Sequence, residues 1–404
     1  MYKPLKVAQP EKSCQSIEGQ GFGDFVVCYD PGRVDILIDY RPALRQRTGV
    51  GQYVHGLATS LAARLDVHDS LTVFSSSWKD RLPPGAVPDA GQVDARIPVS
   101  VLNLAWHRLE WPPIEWLAPH ADVVHSLHPL LIPSRSAARL VTVHDLYFLD
   151  RPEHTSGEIR RDYRSLARSH VTRADGVVVN SKYTGGQVAD RFGISPDRIT
   201  VCYPGRPSWS RRPEPTVPGP ILFLGTVEPR KNVPRLIEAY AAVLDRRPGT
   251  PGLVIAGSTQ ISREELLSRV PSGRDLTRHV SFSGYVEEAE RKRLLSTASI
   301  LVLPSLEEGF GIPALEAMAI GLPVISSDRG ALPEVIGDAG VLIDPEDVRA
   351  LAVAIERVLS DDHLRRGLSA KGVERANHFS WDASADALYG AYRTAAARKQ
   401  RSTR

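Results

Sequence analysis

The chain has 404 residues, 42% of them hydrophobic and 24% charged, with a formal net charge of +3 at pH 7. That length exceeds one ordinary core and predicts two domains of about 150 to 200 residues each, while the composition is that of a globular protein handled by water. The mild charge excludes any argument for nucleic acid from net electrostatics, and no nucleic-acid partner is expected. Cys14, Cys28 and Cys202 are scattered rather than spaced as a disulfide framework, which suits a reducing compartment. No apolar run reaches the roughly 18 to 20 residues of a membrane span, and the N-terminus lacks the apolar stretch of a signal peptide, so a cytoplasmic location is expected.

Residues 1–30 are weakly patterned. The string GQGFG at 19–23 has no strand before it and no periodic helix after it, so it reads as loop rather than a dinucleotide fingerprint. The first clear strand is VDILIDY at 34–40, followed by the loop RPALRQRTGVG and a helix from about Gln52 to Leu65, in which Val54, Leu57, Ala58, Leu61 and Ala62 recur at helical spacing. Gly49 and Gly51 fall at the start of that helix, where free amides suit a phosphate or a closely packed substrate, with a plain tight turn as the equal alternative. Further strands are predicted at 70–76, 121–127, 138–146 and 175–181. Near-continuous apolar runs alternating with helices predict a parallel sheet covered on both faces, whose ligands bind beyond the carboxyl ends of the strands. His125, His128, His144 and Asp145 are assigned to such ends. The HSLH spacing is wrong for a helical metal pair and no Cys or acidic cluster completes a site, so no metal site is expected.

Residues 104–117, LAWHRLEWPPIEWL, hold three of the six tryptophans. Pro112 and Pro113 break any long amphipathic helix, and the rings are expected to pack between helices rather than against a sugar or a membrane. The segment 157–175 predicts a helix with Ile159, Tyr163, Leu166 and His170 on one stripe and Arg160, Arg164 and Arg168 on another. That basic edge suits anionic lipid head groups or a lipid pyrophosphate, with a solvated face as the alternative. The proline-rich, aperiodic stretch 206–220 reads as an interdomain linker.

The second half opens with a strand ending at Gly225 and a helix beginning near Asn232, assigned as its N-cap. Arg230 and Lys231 stand just ahead of it, where a planar fork and a point charge can together neutralise a diphosphate; as isolated residues they would be surface charges. Strands at 252–258 and 279–286 and a helix from Glu287 to Thr297 lead to the apolar run 300–305 and the stretch EGFGIPALE at 308–316. Gly309 and Gly311 permit a sharp turn close to a ligand, Pro313 marks the first turn of a helix reaching Ile320, and the first helical amides can bind anionic oxygens. Glu308 and Glu316, with seven residues between them, can accept hydrogen bonds from the hydroxyls of a sugar or a ribose. An ordinary strand-turn-helix unit, with acids favoured by the helix dipole, explains the spacing alone equally well. Two more strands, a helix from about Val348 to Leu359 and a last helix within 379–400 complete the pattern.

Residues 308–316 closely resemble the E-x7-E signature of the retaining GT-B glycosyltransferases of the family-4 type. The flanking stretch 321–347, the segment VTVHDL and residues 180–205 are similar to the same family, so that matching blocks run in order over residues 34–382. The resemblance implies an α/β GT-B fold, two Rossmann-like doubly wound parallel-sheet domains facing a cleft. It implies an N-terminal extension over 1–30, an acceptor domain over 31–205, a linker over 206–219, a nucleotide-sugar donor domain over 220–378 and a C-terminal helix over 379–404 crossing back to the first domain. By the same resemblance Glu308 contacts the transferred hexose, Glu316 the ribose, and Arg230 with Lys231 the departing diphosphate. His144 faces the hexose, bonding a hydroxyl or supporting developing charge. Gly49, Gly51, Gly225, Val286, Phe310, Gly311 and Ile312 line the donor site, with the base near 284–286.

No cofactor is implied beyond a nucleotide-sugar co-substrate, and the absence of an Asp-x-Asp motif at a suitable place agrees with metal-independent, retaining hexosyl transfer. The strings TGVGQY, VTVHDLYFL and EGFGIP look most like bacterial mannosyltransferases of surface polysaccharide assembly. GDP-mannose is therefore the expected donor, ahead of UDP-glucose, and a saccharide or lipid-linked saccharide the expected acceptor, with peripheral contact to the inner membrane face through the basic edge. A nucleotide-sugar epimerase on the same architecture is the alternative of another class.

Overall fold

The computed structural model describes residues 13–17, 25–29, 32–44, 49–155, 159–213, 218–268 and 275–403. Near the N-terminus two short strands, β1 (Ser13–Ile17) and β2 (Phe25–Tyr29), pair antiparallel with Ser13 opposite Tyr29. The sequence pattern marked neither; the GQGFG string lies outside the described residues.

Seven strands form the first main sheet: β3 (Asp35–Asp39), β4 (Ser70–Ser75), β5 (Gly91–Asp94), β6 (Val123–Ser126), β7 (Ala138–Val143), β8 (Gly176–Val179) and β9 (Ile199–Val201). Their order is β5-β4-β3-β6-β7-β8-β9, with every pairing parallel. Six more form the second: β10 (Ile221–Leu224), β11 (Leu253–Ala256), β12 (Val280–Gly284), β13 (Ile300–Leu303), β14 (Val324–Ser327) and β15 (Val341–Ile343), ordered β12-β11-β10-β13-β14-β15 and again parallel throughout. The physical cause is legible in the central strands. Ile221, Leu222, Phe223 and Leu224, like Ile300 to Leu303, are buried residue after residue, which only a sheet covered by helices on both faces can provide. This is the GT-B arrangement, two Rossmann-like sheets each clad in helices.

Strand reversal of order at β3/β6 and at β10/β13 puts the switch points of both sheets opposite one another, and ligand crevices open at such points. The helices that border them are Gly49–Ala62 in the first half and Val233–Arg246 and Ile312–Ile320 in the second. The last helix, Trp381–Thr403, returns to the first half, where Ala385, Leu388, Tyr392, Ala395 and Ala396 complete its core.

Several expectations are corrected. His125 lies next to the carboxyl end of β6 yet does not face the cleft: it is fully buried, with Nδ1 2.6 Å from the Tyr392 hydroxyl and Nε2 2.9 Å from Thr142 Oγ1. It is the polar pin under the returning helix, and burial pushes its pKa down to about 3, keeping the ring neutral. Of the tryptophans at 106, 111 and 116, only Trp106 packs inside; Trp111 and Trp116 are 54% and 57% exposed, on the stretch that follows the end of the helical segment at Leu109. Asn232 precedes its helix but does not cap it with its side chain. It adopts a left-handed conformation with φ 58° and turns its amide inward to donate to the carbonyls of Pro304 and Pro345, 3.1 and 2.8 Å away. A helix over Asp362–Ala376, started by Asp361 accepting from the Leu364 amide at 2.9 Å, was not anticipated; its apolar stripe is weak, with only Leu368, Gly372 and Ala376 buried.

Candidate active site

The loop after β13 and the helix Ile312–Ile320 are built around two glycines. Gly311 has φ 99°, a region L side chains avoid, and it turns the chain into the helix with Pro313 in the first turn. Gly309 lies against the other half: a Cβ there would run into the carbonyl oxygen of His144. The loop therefore forms the wall where the two sheets meet.

Glu308 is 6% exposed and has both carboxylate oxygens engaged. Oε1 accepts from Lys231 Nζ at 2.5 Å and from Ser305 Oγ at 2.8 Å, and Oε2 from Arg230 Nη1 at 3.1 Å. Burial by itself would raise its pKa, but the adjacent Lys231 and Arg230 charges and the hydrogen bonds overcome that and hold it at about 2. Burial and then the Arg230 charge push the Lys231 ammonium below its ordinary value, with Glu308 acting in the opposite sense. We read the group as an ionised carboxylate between two cations. The backbone supports it: Pro229–Lys231 is a 3-10 turn, Leu306 donates to the Arg230 carbonyl at 2.7 Å, and Ala331 to the Glu308 carbonyl at 2.9 Å. Arg230 also meets Glu228, its Nε 2.7 Å from Oε1, so two carboxylates aim its guanidinium.

Glu316, eight residues further along and in the helix, is 1% exposed and differently treated. Gln52 of the first half donates to its Oε1 at 2.8 Å. Arg291 Nε stands 3.2 Å from the same oxygen, an ion pair that lacks hydrogen-bond alignment. Burial dominates, and the pKa of Glu316 is raised despite Arg291 and Gln52.

From the first half, His144 follows β7 and reaches the same cleft. Its Nε2 lies 3.1 Å from the Leu127 carbonyl, which can only accept, so Nε2 carries the proton and Nδ1 is an acceptor. Burial lowers its pKa. The ring is held edge-on by Tyr53, centroids 5.2 Å apart, and the Tyr53 hydroxyl donates to the Cys202 carbonyl at 3.0 Å. The halves are tied beside the cleft by Glu334, whose carboxylate accepts from the amides of Lys182 and Tyr183, both at 2.9 Å, and from the Tyr203 hydroxyl at 2.7 Å. Those amides open the helix Lys182–Phe192, where negative charge is favoured.

One cleft thus brings together Glu308, Glu316, Arg230, Lys231, His144, Gly49, Gly225, Val286, Phe310, Gly311 and Ile312. One expectation differs. The helix begins at Gly49 itself, so Gly51 lies in its first turn, buried toward the core rather than along the cleft, and the four residues before Gly49 lie outside the described ones. Phe310 borders the cleft with its ring packed on Phe379 at 5.4 Å and Tyr203 at 6.2 Å, so it supports the loop. Sequence reasoning missed Gln52, Arg291 and Tyr53. Gln52 and Tyr53 follow directly on the glycines already singled out, which was a usable signal; Arg291 sits in a helix rich in charges and had none. Among the described residues no group of three or more His, Cys, Asp or Glu is placed to hold a metal ion, and no helix is long and apolar enough to cross a membrane.

Residues 211–375 match the family described as Glycosyl transferases group 1, and residues 47–207 match Glycosyltransferase Family 4. The O-antigen chain mannosyltransferase B of Escherichia coli is 29% identical over 89% of this chain and 99% of its own length. A D-inositol 3-phosphate glycosyltransferase of Acidothermus cellulolyticus is 29% identical over 89% of this chain and 88% of its own. Among solved structures, a sucrose-phosphate synthase from Thermosynechococcus elongatus superposes with a TM-score of 0.67 at 21% identity, over 90% of this chain and 99% of that one. With both halves matched and the GT-B fold in place, the chain belongs to the family-4 type of GT-B glycosyltransferases.

Proposed function

We propose that this glycosyltransferase moves a hexose, mannose from GDP-mannose, onto a saccharide or lipid-linked saccharide acceptor of a surface polysaccharide, with retention of configuration and without a metal ion. The observation that carries this reading is the buried meeting of Lys231 and Arg230 with Glu308 in the cleft, eight residues ahead of a second buried carboxylate, Glu316. Two cations fixed in a low-dielectric recess suit the charge that develops on a leaving nucleoside diphosphate. The mannose assignment is supported by the O-antigen mannosyltransferase similarity and by the strings TGVGQY and EGFGIP.

In this reading the helix Ile312–Ile320 and Gly225 receive the nucleotide, Glu316 accepts from ribose hydroxyls, and Gln52 and Arg291 hold its carboxylate in place. Val286 borders the base. Arg230 and Lys231 bind the diphosphate and take up its charge as the glycosidic bond breaks. Glu308 is a weak nucleophile, because its pKa is low and both oxygens are engaged; it positions the hexose and the two cations. The acceptor hydroxyl then attacks on the face the diphosphate leaves, its proton passing to a leaving phosphate oxygen. His144, neutral with Nδ1 accepting, bonds a hexose hydroxyl rather than stabilising positive charge.

Residues 31–205 serve as the acceptor half and 220–378 as the donor half, joined by 206–219. The donor places the reaction in the cytoplasm, at the inner membrane face where the acceptor is lipid-linked.

Thermal unfolding of the purified protein with GDP, GDP-mannose, UDP and UDP-glucose tests the donor, since a ligand of the folded state raises apparent stability. A shift selective for GDP and GDP-mannose is expected. A UDP-selective shift overturns mannose from GDP-mannose, and release of an epimerised sugar nucleotide without acceptor overturns transfer.

A further inference from the structure

Trp111 and Trp116 face solvent, yet the stretch that carries them is fastened at several points. The Trp106 indole donates to the Pro112 carbonyl at 3.0 Å, and the Ile114 amide to the Pro133 carbonyl at 2.8 Å. Glu115 Oε1 accepts from Ser134 Oγ at 2.6 Å and from the Arg135 amide at 2.9 Å. The two rings stand edge to face with centroids 5.6 Å apart, and the Arg135 guanidinium lies 5.4 Å from the Trp116 ring. Exposed rings on a loop held this firmly lose little freedom when a ligand settles on them.

Beside them lies a recess of about 180 Å³, room for a sugar ring but not for a nucleotide. Trp111, Pro113 and Pro133 give it apolar surface, and Ser134, Arg135 and Arg139 give it hydrogen-bonding groups. Nε of Arg139 is buried with no hydrogen-bond partner among the described residues. Charge is nearly cancelled here, since Glu110 at the rim is held by Arg173 at 3.0 and 2.7 Å. Asp162 accepts from Arg108 at 3.0 Å, so Asp162 and Arg173 face this segment and put the exposed Arg164 and Arg168 on the far side of their helix. The surface therefore lacks the strong positive charge an anionic partner would need. A neutral polyhydroxylated ring finds an aromatic face for its C–H groups and donors for its oxygens.

The recess is separate from the cleft. Arg139 is the second residue of β7 and His144 follows the last, so at roughly 3.3 Å per residue the two are about 17 Å apart. A saccharide with its growing end in the cleft must be several sugars long to reach it.

We propose that Trp111, Trp116 and the recess beside them form a second saccharide site, which holds a neutral sugar unit in the body of the acceptor chain. Its purpose, though not the binding itself, rests on the saccharide acceptor of the reading above. A tether there raises the local concentration of the chain end at the cleft, which favours long acceptors over short ones.

The test is affinity electrophoresis of the full chain, without donor, through gels containing neutral mannan, neutral dextran or anionic heparin. Retardation by a neutral polymer is expected. Trp111→Ala with Trp116→Ala should weaken it roughly tenfold, and phenylalanine at both positions should restore most of it. In transfer assays the KM of a long acceptor should rise by about the same factor in the alanine pair, with that of a disaccharide acceptor unchanged. Both side chains are exposed, so nucleotide-dependent thermal shifts should be unchanged and report folding separately; those shifts also test the donor reading, so either idea can fail alone. Unretarded passage through both neutral gels overturns the proposal, as does retardation by heparin alone. So does retardation that the alanine pair leaves intact, which would put the saccharide in the cleft only.

Discussion

The two halves share an architecture of parallel strands under helices, yet they tolerate buried polarity by different means. In the C-terminal half, Glu308, Lys231 and Glu316 are buried at the cleft, each with an oppositely charged partner within about hydrogen-bond distance. In the N-terminal half the buried groups are histidines made neutral by burial: the pKa values of His107 and His125 fall to about 3 and that of His170 to about 4. Losing a proton relieves the desolvation penalty without a counter-ion. Buried ions that are kept, at a cost the fold must offset, mark the place where charge is used; buried histidines that shed theirs mark packing. The N-terminal half breaks this pattern twice: Asp39, Arg41 and Asn103 form a buried bonded set at the end of β3, and buried Asp162 accepts from Arg161 and Arg108.

The largest test of that contrast is Lys231→Ala. Removing one cation from the leaving-group site should lower the transfer rate about 10²- to 10³-fold in a steady-state assay, and an unchanged rate would sink the contrast. Gly309→Ala acts on the seam between the halves, since the new Cβ meets the His144 carbonyl. A displacement near 1 Å at a reacting centre costs on the order of 10²-fold, so kcat/KM should fall by that order while the far-ultraviolet circular dichroism is retained.

Glu316→Ala should weaken nucleotide binding by about 10- to 100-fold, the worth of one or two hydrogen bonds to a charged group, read by calorimetric titration with GDP. Equal affinity in wild type and variant would exclude the ribose role. His125→Phe is the counterpart in the other half. It leaves the Tyr392 and Thr142 hydroxyls unpaired and should cost about 1–3 kcal/mol of stability in denaturant unfolding, with GDP affinity unchanged. A loss of GDP affinity would show that the histidines are not merely structural.

The smallest effect is on pH. Glu308 has a folded pKa of about 2 against an ordinary value of 4.5, so its stabilising contribution is complete above pH 4.5 and is lost as pH falls toward 2. Glu316, raised by burial, works with the opposite sign: its ionised form costs stability above its folded pKa, and acid relieves that cost. Glu308→Gln should therefore flatten the acid limb of a stability-pH curve, and Glu316→Gln should steepen it.

Much of this was legible in residue order. The apolar runs at 221–224 and 300–303 could only be covered strands, and Gly311 with Pro313 dictated a turn into a helix whatever surrounded them. Glu308, Lys231 and His144 stand where strands end, and in parallel sheets that is where ligands bind. Periodicity tells which side of an element is buried but not which element covers it. So only tertiary structure could bring Gln52 to Glu316 across 264 positions, press Gly309 against His144, and set Glu308 between two cations. It also decided the tryptophans: composition assigns such rings to a core, and it took the fold to leave Trp111 and Trp116 outside while Trp106 went in.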